Sequence, residues 1–223
     1  MCQKALILKH QQQWRNLPGH PTFDEMVVYG ASGHAKVVIE LMEVNNIGYI
    51  VIWDDTDKPA IWQYNVKRPS LEDLAEDARM VIGIGNNSTR KTIAERYDGK
   101  ARYAAVIHPG ALISKRVQVG DGTVVMAGTV INTDTRIGQH CIINTSASID
   151  HDCDLADYVH ISPNATLCGN VSVGEGTHVG AGSVVIQGIR IGKWSTIGAG
   201  AVVIKDVPDY ATVVGNPGRL ING

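Results

Sequence analysis

From Ile107 to Val203 every sixth residue is Ile, Val or Leu, 17 consecutive positions in one phase. These three residue types make up 58 of the 223 residues, so chance would fill only about four of the 17. A six-residue period fits neither the 3.6-residue turn of an α-helix nor the two-residue alternation of a strand. It is the repeat of a parallel β-helix, whose short strands turn a corner every six residues. The residue four places after each large one is Ala, Cys, Ser, Thr or Val, with Ile189 the one larger exception. Each hexad therefore points one large and one small side chain inward. Three hexads close a triangular coil of 18 residues, and the run predicts five to six coils stacked about 4.8 Å apart.

The repeat spans 107–208, with a tail at 209–223. It leaves 26–106 for a separate unit, preceded by an extension, 1–25, that has no clear period. A net charge of −2, with no basic run longer than two residues, carries no nucleic-acid footprint. No apolar stretch approaches the roughly 20 residues of a membrane span. Ala5 to Leu8 runs straight into Lys9, His10 and three glutamines, unlike a signal peptide, so a cytoplasmic location is expected. The cysteines at 2, 141, 153 and 168 form no CxxC pair, and Cys141 and Cys153 fall in small inward slots, as structural thiols would.

In the N-terminal unit, apolar runs at Val27–Tyr29, Tyr49–Trp53 and Met80–Ile84 read as strands. Helical patterns over Lys36–Val44 and Thr89–Tyr97 follow the first and third, and Ala104–Ile107 supplies a last strand. Alternation of this kind predicts a small parallel α/β sheet whose ligand sits at the carboxyl ends of the strands. Those ends carry Gly30-Ala31-Ser32-Gly33-His34, Asp54-Asp55 and Gly85-Asn86-Asn87. The first offers backbone N–H groups at a helix start, suited to a phosphate; the carboxylates and amides suit a ribose and a base. Only Gly30 and Gly33 are present, so this is not the GxGxxG fingerprint, and a purely structural glycine turn is the competing reading.

On the repeat, His151 occupies an outward corner position between Asp150 and Asp152, with Asp154 close by. A carboxylate beside an imidazole fixes its tautomer and raises its basicity, as a general base near neutral pH requires; a solvated polar corner is the alternative. His160 and His178 are 18 residues apart and stack on one face, either lining a cleft or forming a surface ladder. The gaps of 11, 9 and 18 among His140, His151, His160 and His178 do not suit a zinc site, and no metal is expected.

Tyr29-Gly30-Ala31-Ser32-Gly33-His34, Ile84-Gly85-Asn86-Asn87, Ile107-His108-Pro109, Asn144-Thr145-Ser146 leading into His151, Val159-His160-Ile161-Ser162 and Val214-Gly215-Asn216-Pro217-Gly218-Arg219 occur in this order. With these motifs the chain, from Val27 to about Ile221, resembles the hexapeptide-repeat sugar acyltransferases. The likeness is greatest to bacterial UDP-4-amino-sugar N-acetyltransferases of bacillosamine-type pathways and their sialic acid O-acetyltransferase relatives. The resemblance implies a small α/β Rossmann-like N-terminal domain followed by a left-handed parallel β-helix, assembled as a homotrimer with the active site between subunits. It implies a nucleotide-linked amino sugar held by Ser32, Gly33, His34, Asp54, Asp55, Gly85, Asn86 and Asn144, with His151 as base and Asp152 as its carboxylate partner. Acetyl-CoA, the co-substrate, would run along the β-helix past His160, Gly169, Gly180, Ala181 and Ala199. The relatives carry Glu where this chain has Asp152, which leaves Asp150 and Asp154 as alternative partners. O-acetylation of a sugar such as sialic acid, and a nucleotide-sugar-binding trimer without chemistry, are the other functions compatible with these residues.

Overall fold

A computed structural model describes residues 25–73 and 78–221. Of the expected extension, all but Glu25 lies outside the described residues, as does Cys2. The N-terminal domain is a five-stranded, wholly parallel sheet of β1 (Glu25–Tyr29), β2 (Tyr49–Trp53), β3 (Val66–Lys67), β4 (Arg79–Ile82) and β5 (Arg102–Tyr103), in the order β3-β2-β1-β4-β5. The order reverses between β1 and β4, which is where such sheets open a crevice at their carboxyl ends. Helix α1 (Gly33–Val44) buries Ala35, Val38, Ile39, Leu41 and Met42, and α2 (Asn87–Arg96) buries Arg90, Ile93 and Ala94. The expected last strand at Ala104–Ile107 divides: Arg102–Tyr103 closes the sheet, whereas Val106–Ile107 already pairs with Val124–Val125 as the first rung of the β-helix.

The β-helix is left-handed, with two-residue strands on three faces. Face 1 stacks Val106–Ile107 through Thr196–Ile197, face 2 stacks six strands from Leu112–Ile113 to Val202–Val203, and face 3 stacks five from Gln118–Val119 to Arg190–Ile191. In each pair the second residue points inward: Ile143, Ile161 and Val179 lie on successive rungs and are fully buried. The small inward slots are buried too, and their hydroxyls are satisfied by the chain itself. Thr123 Oγ1 donates to the Gly138 carbonyl at 2.8 Å and accepts from the Cys141 N–H at 2.9 Å.

The expected tail at 209–223 contributes two strands as far as Ile221. Thr212–Val214 adds a further parallel rung to face 1 beside Thr196–Ile197, and Arg219–Ile221 returns against it in antiparallel fashion. The N-terminal domain sits on face 1, where α1 and β1 share one apolar cluster with Val106, Val124, Met126 and Ile142. No helix among the described residues is long and apolar enough to cross a membrane.

Candidate active site

The three corners of the prism carry different chemistry. On the corner between faces 2 and 3, the turn Asp150-His151-Asp152 places His151 outward, its side chain 54% exposed. His151 Nδ1 lies 2.7 Å from Asp152 Oδ2. Asp152, held at φ +58° by the corner turn, is thus the carboxylate that orients the ring. Asp150 serves a different purpose. Its Oδ1 accepts from the His151 backbone N–H at 2.9 Å and from Asn132 Nδ2 at 2.8 Å, which stiffens the turn. The bond to Asp152, and then the charge of Asp150, hold the His151 pKa above the ordinary imidazole value. With Nδ1 committed, Nε2 has no protein partner among the described residues and lies over Gly169, one coil further on. A Cβ at Gly169 would stand 2.7 Å from both Cε1 and Nε2, so only glycine lets the ring lie there. The Gly169 N–H donates to no protein acceptor among the described residues. His151, Gly169 and Gln187, spaced by single coils, line a groove of 520 Å³ with Asp150, Cys168, Asn170 and Gly188. Cys168 is therefore half-buried in a groove wall, whereas Cys141 and Cys153 are buried as expected.

The second site is the crevice at the switch point. Gly30, at φ +108°, turns the chain out of β1, and a Cβ there would stand 2.7 Å from Ile84 Cγ1. Ser32 precedes α1 in an extended conformation without capping it through its side chain. The first N–H groups of the helix, beside Gly33, thus receive no cap from the Ser32 side chain. Asp54 Oδ2 accepts from the Ala31 N–H at 3.0 Å, and its Oδ1 from the N–H and hydroxyl of Thr56. Asp55 receives the Tyr29 hydroxyl at 2.6 Å and Arg96 Nη1 at 2.8 Å. Asn86 Oδ1 caps α2 through the Thr89 N–H at 2.9 Å. Of the expected nucleotide ligands, Asp54 shapes the glycine turn, Asp55 ties β1 and β2 to α2, and Asn86 caps a helix.

His34 and His160, expected on different ligands, lie together. His160 points outward from face 1, directly beneath the domain that covers that face, and its ring is 6.5 Å from His34 and stacked 4.8 Å from His178. Asn144 Oδ1 accepts from the Thr145 N–H, which turns its Nδ2 toward His160 Nε2 at 3.2 Å. Burial, followed by the charge of Arg90, lowers the His34 pKa to about 4; burial and the neighbouring His178 lower that of His160 to about 3. Both rings are neutral at pH 7, and His34 Nε2 is buried without a partner among the described residues. The crevice thus has a β-helix floor of His160 and Asn144.

Gly180, Ala181 and Ala199 occupy a third place, the corner between faces 1 and 2. Ala181 and Ala199 keep free N–H groups there among the described residues. Gly180 does not: its N–H bonds the Ile197 carbonyl at 2.8 Å and its carbonyl accepts the Ser183 hydroxyl at 2.7 Å. A Cβ at Gly180 would meet Ile197 O at 2.5 Å, so coil stacking accounts for this glycine. Among the described residues no three His, Cys, Asp or Glu side chains are grouped to hold a metal ion.

Sequence patterns place these parts among known proteins. Residues 25–97 match the PglD N-terminal domain, and residues 170–205 match the bacterial transferase hexapeptide repeats. The chain is 44% identical to UDP-N-acetylbacillosamine N-acetyltransferase of Bacillus subtilis over 46% of its own length, and the match spans about half, 51%, of that relative. It is similar to PerB from Caulobacter crescentus, whose structure holds CoA and GDP-perosamine, with 36% identity, TM-score 0.83, and 89% and 97% of the two chains covered. It is similar also to the acetyltransferase domain of PglB from Neisseria gonorrhoeae, solved with acetyl coenzyme A, with 37% identity, TM-score 0.85, and coverage of 89% and 99%. The same fold, the same repeat and more than a third of the residues are shared over nearly the whole of these structures, and the chain belongs to the hexapeptide-repeat sugar acyltransferase family.

Proposed function

We propose that this protein transfers the acetyl group of acetyl-CoA to the amine of a nucleotide-linked 4-amino-deoxy sugar, in the cytoplasm, as a homotrimer. The observation that carries the reading is the His151–Asp152 pair, with Nε2 and the Gly169 N–H below it both without a partner among the described residues, in an open groove. The likeness to enzymes solved with CoA and a nucleotide amino sugar supports the choice of substrates. His151 Nε2 takes a proton from the amine as its nitrogen bonds to the thioester carbon. Asp152 keeps the ring aligned and stabilises the imidazolium, and the Gly169 N–H faces the developing oxyanion. Collapse breaks the C–S bond, and the imidazolium returns its proton to the thiolate, leaving the amide and CoA.

What supports the trimer is where the parts lie. The nucleotide crevice stands on face 1, while His151 sits on the corner beyond face 2. Between them, the outward residues of face 2 are Leu112, Val130, Ser148, Thr166, Val184 and Val202, none of them charged. Face 3 by contrast presents Gln118, Arg136, Asp154, Ser172 and Arg190. Three copies packed through face 2 bring the His151 corner of one subunit to the Asn144–Ala181–Ala199 corner of the next. The base then meets a sugar held by the neighbour's crevice.

The test is thiol release from acetyl-CoA with UDP-, GDP- and dTDP-linked 4-amino-6-deoxy sugars, beside sialic acid, with light scattering on the same preparation. Turnover of one amino sugar by a trimer is expected. Turnover of sialic acid alone would replace the reading with O-acetylation, silence everywhere with a binding trimer, and full activity in a monomer would remove the shared groove.

A prediction on pH follows from Asp152. The base works unprotonated, so the acid limb of the kcat/KM profile falls at the His151 pKa, above the ordinary imidazole value because of Asp152 and Asp150. In Asp152→Asn the limb is expected to move to lower pH and the plateau to drop roughly 10- to 100-fold as ring alignment is lost. An unmoved limb would assign it to another group.

A further inference from the structure

The proposed mechanism makes no use of Arg90, although it is the one cation in the described residues that is fully buried, 1% exposed. It stands on α2 in phase with Ile93, Ala94 and Tyr97, which pack on the sheet, and from the first turns of the helix its side chain reaches across to the β-helix. Burial lowers its pKa to about 10, so the guanidinium remains charged at neutral pH, yet it makes no ion pair among the described residues. Its nitrogens are instead spent on oxygens of the chain. Nε donates to the His140 carbonyl at 2.7 Å, and Nη2 to the Tyr158 carbonyl at 2.8 Å and to Asn87 Oδ1 at 2.8 Å. Nη1 donates to the carbonyls of Ile84 at 3.0 Å and Gly85 at 3.2 Å. Asn87 Nδ2 in turn donates to the Gly176 carbonyl at 2.9 Å.

His140, Tyr158 and Gly176 are one coil apart, on the corner between faces 3 and 1. At this corner the ladder runs from their N–H groups to the carbonyls of Asp121, Gln139 and Asp157. That pattern leaves the carbonyls of the corner residues themselves, all at positive φ, without a ladder donor. Buried carbonyls of this kind need donors. Arg90 and Asn87 supply them on three successive coils, and with its remaining nitrogen Arg90 grips Ile84 and Gly85, in the loop that follows β4 at the crevice.

We propose that Arg90 is a positioning residue: it locks the Ile84–Gly85 wall of the nucleotide crevice to the β-helix, setting the distance between His34 above and His160 with Asn144 below. Of the residues expected along acetyl-CoA, Gly169, Ala181 and Ala199 lie on other corners, and Arg90 bonds none of them. A lysine keeps the charge but has one donor point in place of a planar fork, so it does not substitute.

This inference rests on the proposed activity, so the experiment has two readouts. In Arg90→Lys and Arg90→Met, and more weakly in Asn87→Ala, whose partly exposed side chain makes misfolding a lesser concern, KM for the nucleotide amino sugar is expected to rise. A rise of roughly 10- to 100-fold corresponds to about one lost charge-assisted hydrogen bond. KM for acetyl-CoA is expected to stay within about twofold. Hydrogen exchange of amides 83–87 should quicken in the same variants. A lowered kcat with both KM values unchanged, the mark of a smaller folded fraction, would overturn the assignment, as would equal rises in both KM values. If the wild type turned over no amino sugar, the activity itself would be refuted and exchange would decide: unchanged protection at 83–87 in all three variants would overturn the lock.

Discussion

Replacing His151 with alanine is expected to slow acetyl transfer by roughly 10²–10⁴-fold at saturating concentrations of both substrates, the usual contribution of a positioned general base. The size of the effect reflects how little else is available. Near the groove Asp150 is held by Asn132 and by the His151 N–H, and Asp152 loses its role once the ring is gone. The histidines that remain closest to the crevice, His34 on α1 and His160 on face 1, are half-buried with pKa values lowered to about 4 and 3, and stand away from the His151 corner. Neither is a base matched to neutral pH in that groove. Because His151 is half exposed and packs into no core, its loss should leave the unfolding temperature nearly unchanged. KM for each substrate should also change little, since the interaction removed is made with the proton in flight. A variant that kept kcat within tenfold of the wild type would move the base elsewhere.

What the sequence disclosed, and what it hid, follows from the range of the interactions. The β-helix was legible because its period is local: each hexad states which two side chains face inward, and the coil count follows by division. His151 was legible for the same reason, since its partners stand one residue to either side, although the choice among Asp150, Asp152 and Asp154 required coordinates. The crevice was legible only as three strand ends. That Asp55 bonds Tyr29 and Arg96, and that Asn86 caps a helix, depends on side-chain directions that adjacency in sequence does not set. The meeting of His34 with His160 depends on how the domain docks on face 1. Arg90 left a trace that pattern reading could have caught, a charged residue in the apolar phase of α2 with Ile93, Ala94 and Tyr97. The carbonyls it satisfies belong to turns 50 and 68 residues away, and no period announces them.

Ile161→Asp is expected to abolish the folded protein, and the reasoning also tests the division of each hexad into inward and outward positions. Ile161 is 0% exposed and stacks between Ile143 and Val179 on face 1, inside a cluster made wholly of buried apolar side chains. A carboxylate there meets no cation among the described residues, and the inward hydroxyls of the prism, such as Thr135 and Thr177, already donate to backbone carbonyls. Its desolvation alone costs several kcal/mol whether the group ionises or takes up a proton, to which the lost aliphatic burial adds about 2 kcal/mol more. Such a sum is comparable with the whole stability of a typical domain, about 5–15 kcal/mol. In a solenoid each coil is held only by its neighbours, so a broken central coil separates the rungs on either side of it. The expected outcome is insoluble protein, or soluble protein without a cooperative thermal transition. Arg136→Glu makes the control: it reverses a charge on face 3 at an exposed outward position and should shift the transition by no more than a few degrees. If Ile161→Asp melted within a few degrees of the wild type, or if the two substitutions were equally harmful, the hexad would not be arranged as described. In that case the placement of His151 on an outward corner, which rests on the same phase, would fail with it.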